Sequence, residues 1–341
     1  MKPFEYARPT TEAEAVEFLG EAGVQAVILA GGTDLTSLMR AELVSPTRVV
    51  DLKQIPSLHQ VTRLEGGVQI GALVTLADLA KNSLLDGYRS LFDVVDGVRS
   101  IQVQGSGTIG GDLCHLPNCW YFRKGYGLLG QENGISLPET GDNRYHAIFG
   151  NEGAAKFVNA SRFAPALMAW GAKVRIVGPS NKTSSRDRSS GSSVDAEWLP
   201  LEYFHVTPKT DQQGNTILKP GQFVSHIWLP DGNQISSATY EVLQMEGLDW
   251  PLATASVCLD VDGGFVRDAS IVMGHVAPIP WVADDASRWL SGRQIDEDTA
   301  GMVADFAVLS AKPLSMNEYK VQIARTAVKR ALLKATGQLE V

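Results

Sequence analysis

Ile28-Leu29-Ala30-Gly31-Gly32-Thr33-Asp34-Leu35 is the stretch from which the rest of the chain can be read. The apolar run over 26–30 reads as a short buried strand. It stops at paired glycines. Gly31 and Gly32 lack a Cβ, so the backbone can take positive φ and a ligand can approach it closely. Thr33 and Asp34 stand where a helix can begin, and Leu35, Leu38 and Met39 give that helix an apolar face. Strand, glycine turn and helix start together form a cradle for a pyrophosphate, because exposed N–H groups favour an anion. The same pattern also serves as a plain turn.

A second stretch points the same way. Gly105-Ser106-Gly107-Thr108-Ile109-Gly110-Gly111-Asp112 is again glycine-rich, with one apolar residue set within it. Two such loops can clamp the two phosphates of a dinucleotide from opposite sides. Neither is G-x-G-x-x-G or G-x-x-x-x-G-K-[ST], which disfavours a Rossmann or P-loop reading. Thr33, Thr108 and Asp34 can bond a phosphate, a ribityl hydroxyl or an N–H of their own turn.

AGGTDL followed by TIGG resembles the flavin-binding subunit of the molybdenum hydroxylases, the family of xanthine dehydrogenase, aldehyde oxidoreductase and the medium subunit of carbon monoxide dehydrogenase. The likeness extends over FEYARPTTEAEAVEFL, FAPALMAWGAKVRIVG and DWPLATASVCLDVD, and so over nearly the whole chain. It implies an α+β protein, with a two-subdomain flavin-binding fold of the PCMH/VAO-like kind followed by a C-terminal domain of antiparallel sheet plus helices. It implies FAD contacts at Ile28, Leu29, Ala30, Gly31, Gly32, Thr33, Asp34 and Leu35 on one side. On the other it implies Thr108, Ile109, Gly110, Gly111 and Asp112, with Val224 packed nearby.

The chain departs from the family in three places. Asp112 stands where Asn is usual, and a carboxylate donates no hydrogen bond unless protonated. Ser161-Arg162 replaces Ser-Asp. Glu241 and Val242 occupy the strand on which relatives tend to carry Lys. The segment 112–160 resembles an insertion that holds an extra [4Fe–4S] cluster in some relatives. Only Cys114 and Cys119 lie in it, and a comparison without gaps puts the later ligand position at Ala155. Four thiolates are needed, so the extra cluster is not expected.

The implied partners are a small subunit with two [2Fe–2S] clusters and a large subunit with molybdenum–pterin, assembled as a dimer of heterotrimers. Electrons would reach FAD in this chain from the iron–sulfur clusters and leave to an external acceptor. The alternatives are a free-standing FAD-dependent oxidoreductase and a flavin-free scaffold subunit. Covalent FAD attachment through a His near the first loop is disfavoured, since no His precedes His59.

Composition agrees with a globular protein. A net charge of −8 argues against nucleic acid as a partner. The three cysteines, Cys114, Cys119 and Cys258, make no disulfide framework. No secretory signal is visible and no apolar run reaches membrane-spanning length, so a cytoplasmic location is the default expectation.

Along the chain, 1–55 reads as the first flavin-binding subdomain and 56–234 as the second, the latter with the insertion 112–160 and a mobile loop at 179–195. Residues 235–341 read as the C-terminal domain. Thr11 with Glu14, and Thr75 with Asp78, give helix starts. The second helix is expected to run to Gly87. Asp262-Gly263-Gly264 reads as a hairpin turn. Helical patterns fall at 284–290, 297–310 and 318–336, the last with a basic, solvated face. No metal-binding or nucleophile motif is found, which suits a flavoprotein whose cofactor carries the chemistry. The aromatic residues Trp120, Tyr121, Phe122, Tyr126 and Tyr145 form either a satellite core or a cover over FAD or a partner.

Overall fold

The computed structural model describes residues 1–180, 194–232, 234–245 and 249–339. Of the stretch read as a mobile loop, residues 181–193 lie outside the described residues.

Strands β1 (Glu5–Ala7), β2 (Ala26–Leu29) and β3 (Arg48–Asp51) form a parallel sheet in the order β1-β3-β2. Parallel strands need crossovers, and the helix Glu12–Gly20 supplies the first. Thr11 caps it by accepting from the Glu14 N–H, as its sequence position suggests. The Glu14 carboxylate turns back one residue earlier than a capping box requires, onto Thr10. β2 is half-buried rather than fully buried, because Val27 and Ile28 border a cavity.

The second sheet combines β4 (Val61–Leu64) and β5 (Gly67–Gly71) with later strands. After a small hairpin, β6 (Gln131–Glu132) and β7 (Ile135–Ser136), come β8 (Lys173–Pro179), β9 (Val194–Pro200) and β10 (Phe223–Pro230). The order is β4-β5-β10-β8-β9, antiparallel throughout. The helix begun at Thr75 lasts one turn, Leu76–Leu79, and does not reach Gly87. Asn82 interrupts it by accepting from the Leu84 N–H, which starts a separate tight turn.

The third sheet is an antiparallel meander of β11 (Ile235–Val242), β12 (Ala253–Asp262), β13 (Phe265–Gly274) and β14 (Trp281–Val282). Gly263 and Gly264 both have positive φ, as a tight hairpin between β12 and β13 demands. Cys258 and Val272 face one core, with the helices Arg89–Gly97 and Phe163–Ala169. Val257, Leu259, Ile271 and Met273 face another, with the helices Asp284–Leu290, Glu297–Val308 and Tyr319–Ala335. Residues 253–259 of β12 are buried on both faces, and none of them is charged.

The basic residues of the last helix are only in part a solvated face: Arg330 is exposed, and the others are taken up by the fold. Arg325 pairs with Asp305, Lys329 with Glu297 and Lys334 with Asp93, while Lys320 is buried. Neighbouring elements supply their partners, which a single helix pattern does not show. Among the described residues no helix is long and apolar enough to cross a membrane.

Candidate functional site

The two glycine stretches meet. Gly31 lies against the end of the helix Ile101–Ser106, so closely that a methyl group on Gly31 would overlap the Ser106 carbonyl oxygen. Gly32 follows at φ +73°, in the left-handed region that favours glycine. The expected freedom of the pair is thus divided: Gly31 is needed for close approach and Gly32 for its φ.

A cavity of about 640 Å³ opens beside this contact. Ile28, Ala30, Gly31, Gly32, Thr33, Asp34 and Leu35 border it from the first stretch, with Thr108, Gly110, Gly111 and Asp112 from the second. Val224 reaches it from β10, where a bulge follows in the pairing with β8. Leu29 and Ile109 are the two sequence-expected residues not on its wall, and Ile109 is fully buried in the core.

The two stretches differ in what they offer an anion. The N–H groups of Gly31, Gly32, Thr33 and Asp34 donate to no other group among the described residues. The second stretch is mostly helical, and of its N–H groups on the wall only that of Thr108 donates to no other group among the described residues. Ile109 donates to the Val74 carbonyl at 3.1 Å, Gly110 to that of Ala72 at 2.9 Å, and Asp112 to that of Thr108 at 2.9 Å. The Gly111 N–H is capped by Thr108 Oγ1 at 3.1 Å. The first stretch thus presents four free donors, and the second presents one, the Thr108 N–H, on a wall whose other N–H groups are spent.

Asp34 does not face a ligand freely. Arg123 donates to its two carboxylate oxygens at 2.7 and 3.3 Å, and His115 Nε2 lies 3.6 Å away. Arg123 also donates to the carbonyls of Leu116 and Pro117, so it fastens the segment that follows Asp112 to the first stretch. Arg99 and Ser100 border the cavity too, and the exposed Arg99 guanidinium pairs with no carboxylate among the described residues.

The departures from the family pattern have structural uses. Asp112 accepts from the Phe163 N–H at 3.0 Å, from the Arg162 N–H at 3.2 Å and from Ser161 Oγ. Its carboxylate thus caps the helix Phe163–Ala169 from another segment. Burial raises its pKa, and these bonds oppose the rise. Arg162 is 8% exposed and donates to the Gly97 carbonyl at 3.1 Å and to Glu241. Burial raises the Glu241 carboxyl, while the Arg162 guanidinium pulls it down. Arg162 and Glu241 thus compensate each other, 79 residues apart in sequence.

No local motif marks Arg99, His115, Arg123 or Trp250, each of which folding brings to this cleft or to Asp34. Residues 142–146 do not border this cavity: Tyr145 and His146 line a neighbouring one, and Asn143 bonds Ser315 Oγ and the Met316 N–H. Ala155 packs in one apolar cluster with Cys119, so the two positions compared with cluster ligands are near neighbours. Among the described residues no group of three or more His, Cys, Asp or Glu side chains has an arrangement able to hold a metal.

Comparison with known proteins agrees with this architecture. The family model described as "FAD binding domain in molybdopterin dehydrogenase" matches residues 2–232, and that described as "CO dehydrogenase flavoprotein C-terminal domain" matches residues 238–335. The chain is 27% identical to the aldehyde oxidoreductase FAD-binding subunit PaoB of Escherichia coli K12, over 99% of this chain and 100% of that protein. It is 24% identical to the carbon monoxide dehydrogenase medium chain of Hydrogenophaga pseudoflava, over 96% of each. In fold it matches a chain of the solved carbon monoxide dehydrogenase from that organism, with a TM-score of 0.75 and 23% identity, over 99% of both chains. The chain belongs to the FAD-binding family of the molybdopterin dehydrogenases, as a flavoprotein oxidoreductase subunit of the medium-chain type.

Proposed function

We propose that this chain is the electron-transfer subunit of a multi-subunit molybdenum hydroxylase, holding FAD in the 640 Å³ cleft. It would receive electrons from a partner with [2Fe–2S] clusters and deliver them to an external acceptor. Substrate would react in a large partner that carries molybdenum–pterin. In this reading residues 1–55 and 56–234 enclose the flavin, and 235–341 form a third unit beside them.

The observation that carries the reading is the set of N–H groups of Gly31, Gly32, Thr33 and Asp34, unpartnered among the described residues, on the wall of a cavity of cofactor size. Ligand pockets run to about 300–1,000 Å³. The residues present fit FAD. The four N–H groups suit its diphosphate, with Arg99 as a nearby cation. Val224, Leu35 and Val103 give apolar wall for the ring system. FAD when bound supplies the redox chemistry.

This chain's own part is to bind and orient. Gly31 lets the first stretch sit against Ser106, and Gly32 turns the backbone. Arg123 holds Asp34, and with it the following segment, in place. The buried Arg162–Glu241 pair fixes the helix Phe163–Ala169 relative to β11.

The test is purification of the chain from its native source under mild conditions, with iron and molybdenum analysis and a gel of the bands that accompany it. Two further bands with iron and molybdenum support the complex. A single flavin-containing band without metal favours a free-standing flavoenzyme.

A further inference from the structure

A second cavity, of about 290 Å³, adjoins the flavin cleft, with Asp249 and Trp250 in the walls of both. Cys119, His146, His275 and Lys320 border it, and the flavin reading uses none of them.

His275 is buried, sits at φ +61°, and has no hydrogen-bond partner for either ring nitrogen within the described protein. A non-glycine residue held in the left-handed region stores strain, and such strain gathers at ligand sites. His146 Nε2 lies 3.3 Å from Cys119 Sγ, and its Nδ1 is likewise unpartnered. Two imidazoles with unpartnered ring nitrogens thus stand on the border of the same small space.

Lys320 adds a charge without a counter-charge. It is 1% exposed, and its Nζ donates to the carbonyls of Tyr145, His146 and His275 at 3.3, 3.0 and 2.9 Å. No carboxylate among the described residues pairs with it. The one carboxylate on the wall among the described residues, Asp249, already accepts from the N–H groups of Trp250 and Met245. Burial lowers Lys320 to about 7. Burial, reinforced by the Lys320 charge, lowers His146 to about 4. His275 is lowered to about 3 by burial, then by Arg162 and Lys320. A buried cation that lacks an anion is unfavourable, and an anion in the adjoining space relieves it.

Trp120, Phe157 and Trp250 give the same cavity flat apolar sides. We propose that the cavity is a second ligand site, separate from the flavin cleft, which takes a small organic monocarboxylate. Its carboxylate would lie toward His146, His275 and Lys320, and its flat apolar body against the tryptophans. The size is at the low end for ligand pockets, which run from about 300 Å³ upward.

Benzoate is a suitable probe, used on the full chain loaded with FAD. Calorimetry and tryptophan fluorescence should show saturable binding of one benzoate per chain, with Kd near or below about 1 mM. Lys320→Met should weaken it about tenfold or more. That substitution strips the donor from buried carbonyls, so a second reading uses the unaltered protein. Bound benzoate should slow alkylation of Cys119, located by peptide mass spectrometry, without releasing FAD. The proposal is overturned by absence of saturable binding up to about 10 mM, or by Cys119 alkylation that benzoate leaves unchanged. Equal protection by sulfate would overturn the carboxylate assignment. Release of FAD by benzoate would assign the cavity to the flavin cleft instead. A chain that binds benzoate but no FAD would leave this site standing and sink the flavin reading.

Discussion

Gly31 lies flat against the carbonyl group of Ser106, with no space between them for a side chain. The contact joins the turn after β2 to the end of the helix that precedes Thr108, and so sets the spacing of the cleft walls. In Gly31→Ala the backbone must move. The expected result is a loss of about 1–3 kcal/mol of stability from overpacking, together with at least about tenfold weaker FAD binding. Urea unfolding and FAD titration of the same preparation check both.

Gly32 answers to a different constraint. Its φ of +73° is tolerated by asparagine far better than by a β-branched residue. Gly32→Val should lose stoichiometric FAD while Gly32→Asn keeps most of it. Copurified flavin per chain, measured for both variants, is the readout. Full retention in Gly32→Val would refute the role given to the first stretch.

Asp34 and Arg123 should act as a unit. The Asp34 carboxylate is taken up by the guanidinium, so its removal works by loosening the segment around Arg123 and not by deleting a flavin contact. Asp34→Ala and Arg123→Ala are each expected to weaken FAD binding several-fold, with the double variant no worse than either alone. A double-mutant cycle on FAD affinity should give a coupling of about 1 kcal/mol.

The Arg162–Glu241 pair is buried on both sides, so breaking it is expected to be severe. Arg162→Met or Glu241→Leu alone leaves an uncompensated charge and should cost about 3–5 kcal/mol. The double variant should recover much of that loss. Equilibrium urea unfolding of the three proteins tests it.

Buried histidines set the acid limit of the fold. His146 and His205 are lowered to about 4, and His275 to about 3, in each case chiefly by burial. Below the unfolded value of about 6.5 the unfolded chain takes up protons that the folded chain refuses, so stability falls as pH falls. The loss continues until the folded pKa values are reached. Between about pH 6.5 and 5 each histidine should contribute about 1.6 kcal/mol of that loss. Unfolding free energies at the two pH values measure it, and His205→Asn should reduce the slope.

Sequence reasoning found what local chemistry dictates. The strand before Gly31, the caps at Thr11 and Thr75, the Gly263-Gly264 hairpin and the three C-terminal helices all rest on neighbours in sequence. It missed what tertiary contact decides. Glycine content marked Gly105 and Gly110 as loop, yet both lie in short helices, because packing and long-range hydrogen bonds outweigh glycine's weak helix preference. Strand β4 is short and half-exposed and leaves little pattern, so it went unread. The basic stripe of the last helix looked solvated because its acidic partners lie on other elements. Arg123 and His115 give no local signal, since only the folded chain brings them to Asp34. The apparent oddities at Asp112, Arg162 and Glu241 are parts of two buried connections that no local motif describes.

The most direct measurement is the absorption spectrum of the purified full chain, with its FAD content determined after denaturation. One FAD per chain, lost in Gly31→Ala and Gly32→Val while both variants stay folded, is the expected result. A folded, colourless chain that takes up no FAD when the cofactor is supplied would contradict the assignment of the cleft.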